Sequence, residues 1–213
     1  MGTGQPVVRV GIVDSGINPS HPHVQGGAAI TGVRVGLYQN TPGDILDYLG
    51  HGTAVAGAIR SHCAVAELFV AKVFDKTLNT RAEVILRAIE WCFEQDVHLI
   101  NLSLGTHNAA HRQAFEEWAT KVTLISADGA LPGGLPGVVT VSQDAALRRD
   151  EWKQTGPLAF ASSGRPRPIP GRSEEENLGG VSFAVANFTG LAANALLLTR
   201  QLPWEPASPL SDC

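Results

Sequence analysis

The stretch VVRVGIVDSG, residues 7–16, joins a run of mostly β-branched residues to an aspartate and a glycine. A continuous apolar run of this length is typical of a strand that is buried on both faces, as the strands of parallel sheets are. In open α/β sheets, functional residues gather at the carboxyl ends of the strands, and Asp14 stands at such an end. The stretch therefore predicts a central strand followed by a candidate functional carboxylate.

Strand and helix patterns alternate along the rest of the chain. The other predicted strands are apolar and lie at residues 67–74, 97–104, 122–127, 138–142 and 158–161. The predicted helices lie at residues 52–62, 80–95, 109–120 and 182–199, and Thr80 and Glu83 form a capping box at the start of the second. This alternation predicts an α/β fold of three layers, with a mainly parallel sheet and helices on both faces.

Three short segments each place a reactive side chain beside glycine, and they contain Asp14, His51 and Ser182. A serine hydroxyl is a weak nucleophile at neutral pH, so it needs an imidazole to take its proton and a carboxylate to orient that imidazole. At the start of a helix, unpaired N–H groups and the positive end of the helix dipole would stabilise an oxyanion beside Ser182. Taken alone, Ser182 is better explained as a helix N-cap, but the three segments together predict a catalytic triad.

The order Asp, His, Ser and the residues around each of them resemble the subtilisin-like serine peptidases. The resemblance extends from about Val8 to Leu198. Segments that match in the family's order are residues 14–22, 71–74, 99–105, 137–141 and 160–163. The resemblance implies a serine endopeptidase that cleaves peptide bonds through an acyl-enzyme, acts on a peptide or an unfolded protein segment, and needs no cofactor.

The resemblance also assigns two segments to substrate binding. The first follows a buried strand and would pair with an extended peptide through its backbone; it consists of Ser103, Leu104 and Gly105. The second would form the opposite edge of the peptide-binding cleft; it consists of Lys76, Thr77 and Leu78. Main-chain pairing of this kind gives affinity with modest selectivity for side chains.

The expected oxyanion site contains the backbone N–H of Ser182 and also Asp128, whose role the sequence leaves open. Asp128 stands where the family usually has an asparagine, whose amide donates a hydrogen bond to the developing oxyanion. An ionised carboxylate can only accept hydrogen bonds. We therefore expect one of three cases: a slow and specialised peptidase, for example one that processes a precursor peptide; a peptidase with a protonated Asp128; or a catalytically impaired protein of the same fold that binds peptides.

The chain has 213 residues, of which 44% are hydrophobic, and this size fits one domain at residues 1–200 with a loose tail at 201–213. The net charge of −4 and the lack of long basic runs argue against a nucleic-acid partner, and no membrane-spanning segment is expected. Cys63, Cys92 and Cys213 lack the spacing of a disulfide framework, so we expect reduced thiols. The first residues lack a signal-peptide pattern, and we expect a cytoplasmic location.

No metal site is expected. Only residues 61–66 separate the first predicted helix from the next strand, where many relatives of the family carry a calcium-binding loop, and no segment offers the alternating carboxylates of such a loop. Folding is therefore expected to be independent of calcium. The stretch 164–177, rich in proline and charge, is predicted to be a mobile loop, with a lid or recognition element before Ser182 as the alternative.

Overall fold

The computed structural model describes residues 7–173 and 176–205. The strands of these residues form one sheet and are β1 (Arg9–Asp14), β2 (Ile30–Val35), β3 (Asn40–Pro42), β4 (Glu67–Lys72), β5 (Leu99–Leu102), β6 (Thr123–Ala127), β7 (Val139–Gln143), β8 (Trp152–Gly156) and β9 (Ala159–Ser162). The α-helices are α1 (His51–His62), α2 (Ala82–Glu94), α3 (Arg112–Ala119) and α4 (Val181–Thr199). The strand order across the sheet is β3-β2-β4-β1-β5-β6-β7-β9-β8.

Neighbouring strands run parallel except at the two edges of the sheet, where β3 and β8 run antiparallel to their partners. β1 lies between β4 and β5, and its Val10, Ile12 and Val13 are all completely buried. A parallel strand whose two faces are both covered consists of a continuous apolar run. The position of β1 therefore explains the composition of residues 7–13.

Helices cover both faces of the sheet. α1 and α4 pack on one face, over a core that includes Ile59, Phe183 and Phe188. α2 and α3 cover the other face, where Ile89 and Phe115 are buried. The predicted α/β fold, with helices on both faces of a mainly parallel sheet, is confirmed.

Among the described residues, α4 alone is long and apolar enough to cross a membrane by length and composition. In this fold, however, it is the central helix of the core, and its residues 183–190 are all buried. A Cβ atom on Gly190 would lie 2.7 Å from the carbonyl oxygen of Ile59, so α4 and α1 touch along their backbones. The apolar composition of α4 is accounted for by this burial.

Three strands near the edges of the sheet do not follow from the sequence. β2, β3 and β8 have mostly exposed or half-buried residues, so they lack the apolar run that marks the central strands. The capping box of Thr80 and Glu83 is also wrong, because α2 begins after Arg81, which makes no side-chain cap bond. The predicted helix at 109–120 begins as a short 3₁₀ turn and continues as α3.

The polypeptide after α4 packs on the core beyond the predicted domain boundary at residue 200. Trp204 stacks on Phe188 with the ring centroids 6.0 Å apart, and Leu202 packs against the same core. The predicted loose tail therefore starts too early, and its last residues lie outside the described part of the chain, as does Cys213. Cys63 and Cys92 are buried and free.

Arg60 is a buried cation at the end of α1. It is only 6% exposed, and its guanidinium donates to the carbonyl oxygen of Val24 at 2.7 Å and to that of Ala28. No carboxylate pairs with it among the described residues. The hydrogen bonds to the two carbonyls therefore offset most of the cost of removing the charged guanidinium from water. Arg60 therefore ties the long connection between β1 and β2 to α1.

We expect Arg60→Ala to lower the free energy of unfolding by about 2–4 kcal/mol, because two charge-assisted hydrogen bonds are lost and the buried carbonyl of Val24 is left without this donor. The measurement is urea unfolding at neutral pH. Arg112→Ala is the control, since Arg112 is exposed and, within residues 7–173 and 176–205, pairs with Glu116 alone, one turn along α3. A loss of the same small size in both variants would contradict a structural role for Arg60.

Candidate active site

The candidate catalytic residues lie at the carboxyl edge of the sheet, where two helices begin. Asp14 is the last residue of β1, His51 is the first residue of α1, and Ser182 is the second residue of α4. His51 and Ser182 line one cavity of about 240 Å³, and the ring of His51 is bonded to Asp14. The structure thus brings together the three residues that the sequence singles out.

Two glycines allow these elements to approach one another. A Cβ atom on Gly52 would lie 2.2 Å from the carbonyl oxygen of Gly16, so the first turn of α1 packs directly on the loop after β1. Gly180 precedes α4 with a φ of 130°, a conformation that side chains disfavour, and its N–H donates to the carbonyl oxygen of Gly164 at 3.0 Å. The chain can therefore turn into α4 within two residues of Ser182.

The carboxylate of Asp14 is fully buried and holds the imidazole of His51. Nδ1 of His51 lies 2.7 Å from Oδ1 of Asp14, and the same oxygen accepts the N–H of Ser15 at 2.7 Å. Oδ2 of Asp14 is buried without a hydrogen-bond partner among the described residues. Because Nδ1 faces the carboxylate, Nε2 is the nitrogen left for proton transfer with a substrate or a nucleophile.

The environment of His51 favours its protonated form. Burial lowers the pKa of His51, but the hydrogen bond to Asp14 and the negative charges of Asp14 and Asp47 outweigh burial, so the pKa is raised above its ordinary value. On its other side the ring packs on Phe183, with the ring centroids 5.6 Å apart. The two carboxylates therefore stabilise the imidazolium that forms when His51 takes up a proton during a reaction.

The hydroxyl of Ser182 is bonded to the end of β5 in this structure. Its Oγ donates to the carbonyl oxygen of Ser103 at 3.3 Å, and the hydroxyl of Ser103 donates to the carbonyl oxygen of Ser182 at 3.0 Å. Among the described residues no hydrogen bond joins Ser182 to His51. Hydrogen bonds between a nucleophile and its base are often long or poorly aligned without substrate, so this geometry is compatible with a triad.

The two predicted substrate-binding segments differ in how well they match the cavity. Its lining residues, besides His51 and Ser182, are Phe74, Leu78, Asn79, Thr80, Ile85, Ser103, Leu104 and Gly105. All three residues of the first segment are present, but Lys76 and Thr77 of the second are exposed and do not line the cavity. The second lining segment is instead Leu78, Asn79 and Thr80. The part of the chain after β4 that lines the cavity is therefore shifted by two residues from the predicted segment.

Sequence reasoning also missed two apolar residues that line this cavity, Phe74 and Ile85. Phe74 follows β4, and Ile85 lies in the first turn of α2. The apolar spacing of Ala82, Ile85 and Ile89 marks the buried face of α2, which offered a signal for Ile85. No comparable pattern points to Asn79 or Thr80.

Asp128 lies on the loop after β6, beside the predicted substrate-binding segment. Its N–H donates to the carbonyl oxygen of Val141 at 3.0 Å, and its Oδ1 accepts the N–H of Gly129 at 2.9 Å. The residue is exposed and does not line the cavity of Ser182. The hypothesis that burial keeps Asp128 protonated therefore does not fit, because it requires a buried side chain.

The loop between β9 and α4 is anchored at both of its ends. Nδ2 of Asn187 donates to the carbonyl oxygens of Ser163 and Arg165, at 2.9 and 2.8 Å, and Gly180 is bonded to Gly164. Described residues of this loop line two further cavities, of about 720 and 390 Å³. Asn187 of α4 thus holds the start of the loop, and the mobility of residues 164–177 stays a prediction.

The described residues contain no group of three or more His, Cys, Asp or Glu side chains that could hold a metal ion. Independence of folding from calcium stays a prediction.

Comparisons with known proteins agree with the fold and identify relatives. A family model described as the subtilase family matches residues 6–142. Subtilisin E of Bacillus subtilis (strain 168) is 28% identical over 226 residues, which cover 94% of this chain and 58% of subtilisin E. Subtilisin of Bacillus pumilus is 27% identical over 226 residues, which cover 94% of this chain and 80% of the relative. The chain therefore spans little more than half the length of subtilisin E.

Solved structures share the architecture. The prenylagaramide maturation protease PagA superposes with a TM-score of 0.67 at 23% identity, over 92% of this chain and 78% of PagA. A lanthipeptide protease superposes with a TM-score of 0.68 at 18% identity, over 94% of this chain and 77% of that protein. At these sequence identities, the structural likeness shows only that the fold is shared. The family is shown by the family model, because its match covers more than half of the chain. This chain belongs to the subtilase family.

Proposed function

We propose that this protein is a serine endopeptidase that uses Asp14, His51 and Ser182 as a catalytic triad. The observation that carries the proposal is the 2.7 Å bond between Asp14 and His51, with His51 and Ser182 lining the same cavity. An imidazole held by a buried carboxylate next to a serine at a helix N-terminus is the arrangement that activates a weak nucleophile.

The reaction is acyl transfer in two steps. Ser182 Oγ attacks the carbonyl carbon of the substrate while Nε2 of His51 takes the hydroxyl proton, and Asp14 stabilises the imidazolium that forms. The oxyanion accepts the N–H of Ser182 in the first turn of α4, where the helix dipole is favourable. The peptide C–N bond breaks as His51 passes its proton to the leaving amine, and water then hydrolyses the ester by the same sequence.

The cavity favours an extended peptide with an apolar side chain. Ser103, Leu104 and Gly105 offer backbone groups to such a peptide, and the walls carry Phe74 and Ile85. Two of the structural neighbours are named as a maturation protease and a lanthipeptide protease. These names support a specialised role such as the processing of a precursor peptide. We propose that this chain has such a role, that it is slow because of Asp128, and that it acts in the cytoplasm.

A catalytically impaired peptide-binding protein is the second candidate. It is favoured by one observation, the bond of the Ser182 hydroxyl to Ser103 instead of His51. Such a protein would keep the cleft and its backbone pairing groups but would not activate the serine.

A fluorophosphonate probe distinguishes the two candidates, because only an activated serine displaces fluoride and forms a bond to phosphorus. We expect the probe to label the protein on Ser182, with the site read by mass spectrometry. Ser182→Ala should not be labelled, and Ser142→Ala, which removes a hydroxyl of β7, should be labelled like the original protein. If the protein itself stays unlabelled at every pH at which His51 is neutral, the peptidase proposal is wrong.

A further inference from the structure

The carboxylate of Asp47 accepts five hydrogen bonds in the loop before α1. Its Oδ1 accepts the hydroxyl of Ser15 and the N–H groups of Leu49 and Gly50, each at 2.9 Å. Its Oδ2 accepts the N–H of Thr53 at 2.8 Å and the hydroxyl of Thr53 at 2.6 Å. A half-buried carboxylate with this many donors is held in one position.

Two of these bonds, both from Thr53, hold the first turn of α1, which carries His51, and two more hold Leu49 and Gly50 just before the helix. The residue before the helix is Gly50, which has no side chain to cap the N-terminus. Asp47 takes over this role from three residues earlier, since it accepts the N–H of Thr53, one of the N–H groups that a helix leaves unpaired. Its negative charge also interacts favourably with the positive end of the helix dipole.

The fifth bond links Asp47 to the carboxylate that holds the imidazole. The hydroxyl of Ser15 donates to Asp47 and accepts the N–H of Gly52 at 2.9 Å, while the N–H of Ser15 donates to Oδ1 of Asp14 at 2.7 Å. The loop after β1 and the first turn of α1 are therefore joined through Ser15 and Asp47.

We infer that Asp47 is a positioning residue of the active site, which fixes His51 relative to Asp14 and places a second negative charge beside the imidazole. The inference rests on the proposed peptidase function. Asp47 does not touch His51 or line the cavity of Ser182, so it acts through the first turn of α1, through Ser15 and through its charge.

The effect of Asp47 on the pKa of His51 can be judged from the groups that surround the imidazole. The charged ones are Asp14 and Asp47, and the side of the ring towards α4 is covered by Phe183, which carries no charge. In Asp47→Asn the bond between Asp14 and His51 remains possible, while one of the two charges that raise the pKa of His51 is gone. The imidazole should therefore lose its proton at a lower pH than in the original protein.

The experiment measures the titration of His51 by NMR of the imidazole in a Ser182→Ala background, which does not require turnover. We expect Asp47→Asn to shift the midpoint to lower pH. In the protein with Ser182 intact, the acidic limb of the kcat/KM profile should shift in the same direction, and kcat at the plateau should fall by about 10-fold to 10²-fold as the ring is displaced. Ser15→Ala removes the link to Asp47 together with the acceptor of the Gly52 N–H, and its loss of kcat should be less than multiplicative with that of Asp47→Asn.

Asp44→Asn is the matched control, because it removes a carboxylate from the same loop that pairs with Arg34 at 2.8 Å. It should leave the titration of His51 in place. Equal midpoints for Asp47→Asn and Asp44→Asn would overturn the inference, whatever happens to the rate. A protein that titrates as expected but cleaves no peptide would count against the proposed function alone.

Discussion

Replacing Ser182 with alanine should lower kcat for peptide cleavage by about 10⁶-fold, the size of the loss known for subtilisins. The expected loss is this large because the acyl-enzyme cannot form without Oγ, and the remaining rate comes only from substrate binding and the oxyanion donors. The measurement is steady-state hydrolysis of a peptide series with apolar residues before the scissile bond. The unfolding midpoint of the variant should stay close to that of the original protein.

His51 gives the matched test, because a triad acts as one unit. His51→Ala should cost about as much as Ser182→Ala, and the double variant should be hardly slower than either single one. If the two losses multiply instead, the residues contribute independently and do not share one proton transfer. Residual activity above about 1% in Ser182→Ala would show that another group is the nucleophile.

The central part of the fold could be predicted because burial determines its composition. β1 lies between two parallel strands with helices on both faces, so nearly all of its residues must be apolar, and the change to Asp14 marks its end. His51 and Ser182 could be located for a related reason. Each stands at a helix start beside a glycine that permits close approach or a sharp turn.

The features of the fold and the site that the sequence did not predict are exposed strands and contacts between loops. β3 is exposed along its whole length, so its three residues have no apolar pattern, and only the pairing with β2 makes them a strand. Asp47 was missed because its donors come from two loops and from α1, which no local spacing reveals. The wall of the cavity was misplaced by two residues, since the path of an exposed loop is not set by its own sequence.

Asp128→Asn should raise the rate of peptide cleavage, by about 10²-fold to 10³-fold if the new amide donates to the oxyanion as an asparagine does in subtilisin. The loop that carries Asp128 packs beside the loop that follows β5, although the side chain of Asp128 itself does not line the cavity of Ser182. Ser126 of β6 lies opposite Leu102 of β5, so the loops that follow these two strands leave the sheet side by side. A Cβ atom on Gly105 would come within 2.8 Å of Ala130, which shows how closely the two loops pack.

The comparison that decides the role of Asp128 uses Asp150→Asn as its control. Asp150 is exposed and pairs with Arg148, so its replacement makes the same change in net charge away from the site. We expect no change of rate in Asp150→Asn, and the gain from Asp128→Asn should disappear when Ser182→Ala is added. Equal rates for Asp128→Asn and the original protein would place the side chain outside the oxyanion site, and the slow rate expected from Asp128 would then need another cause.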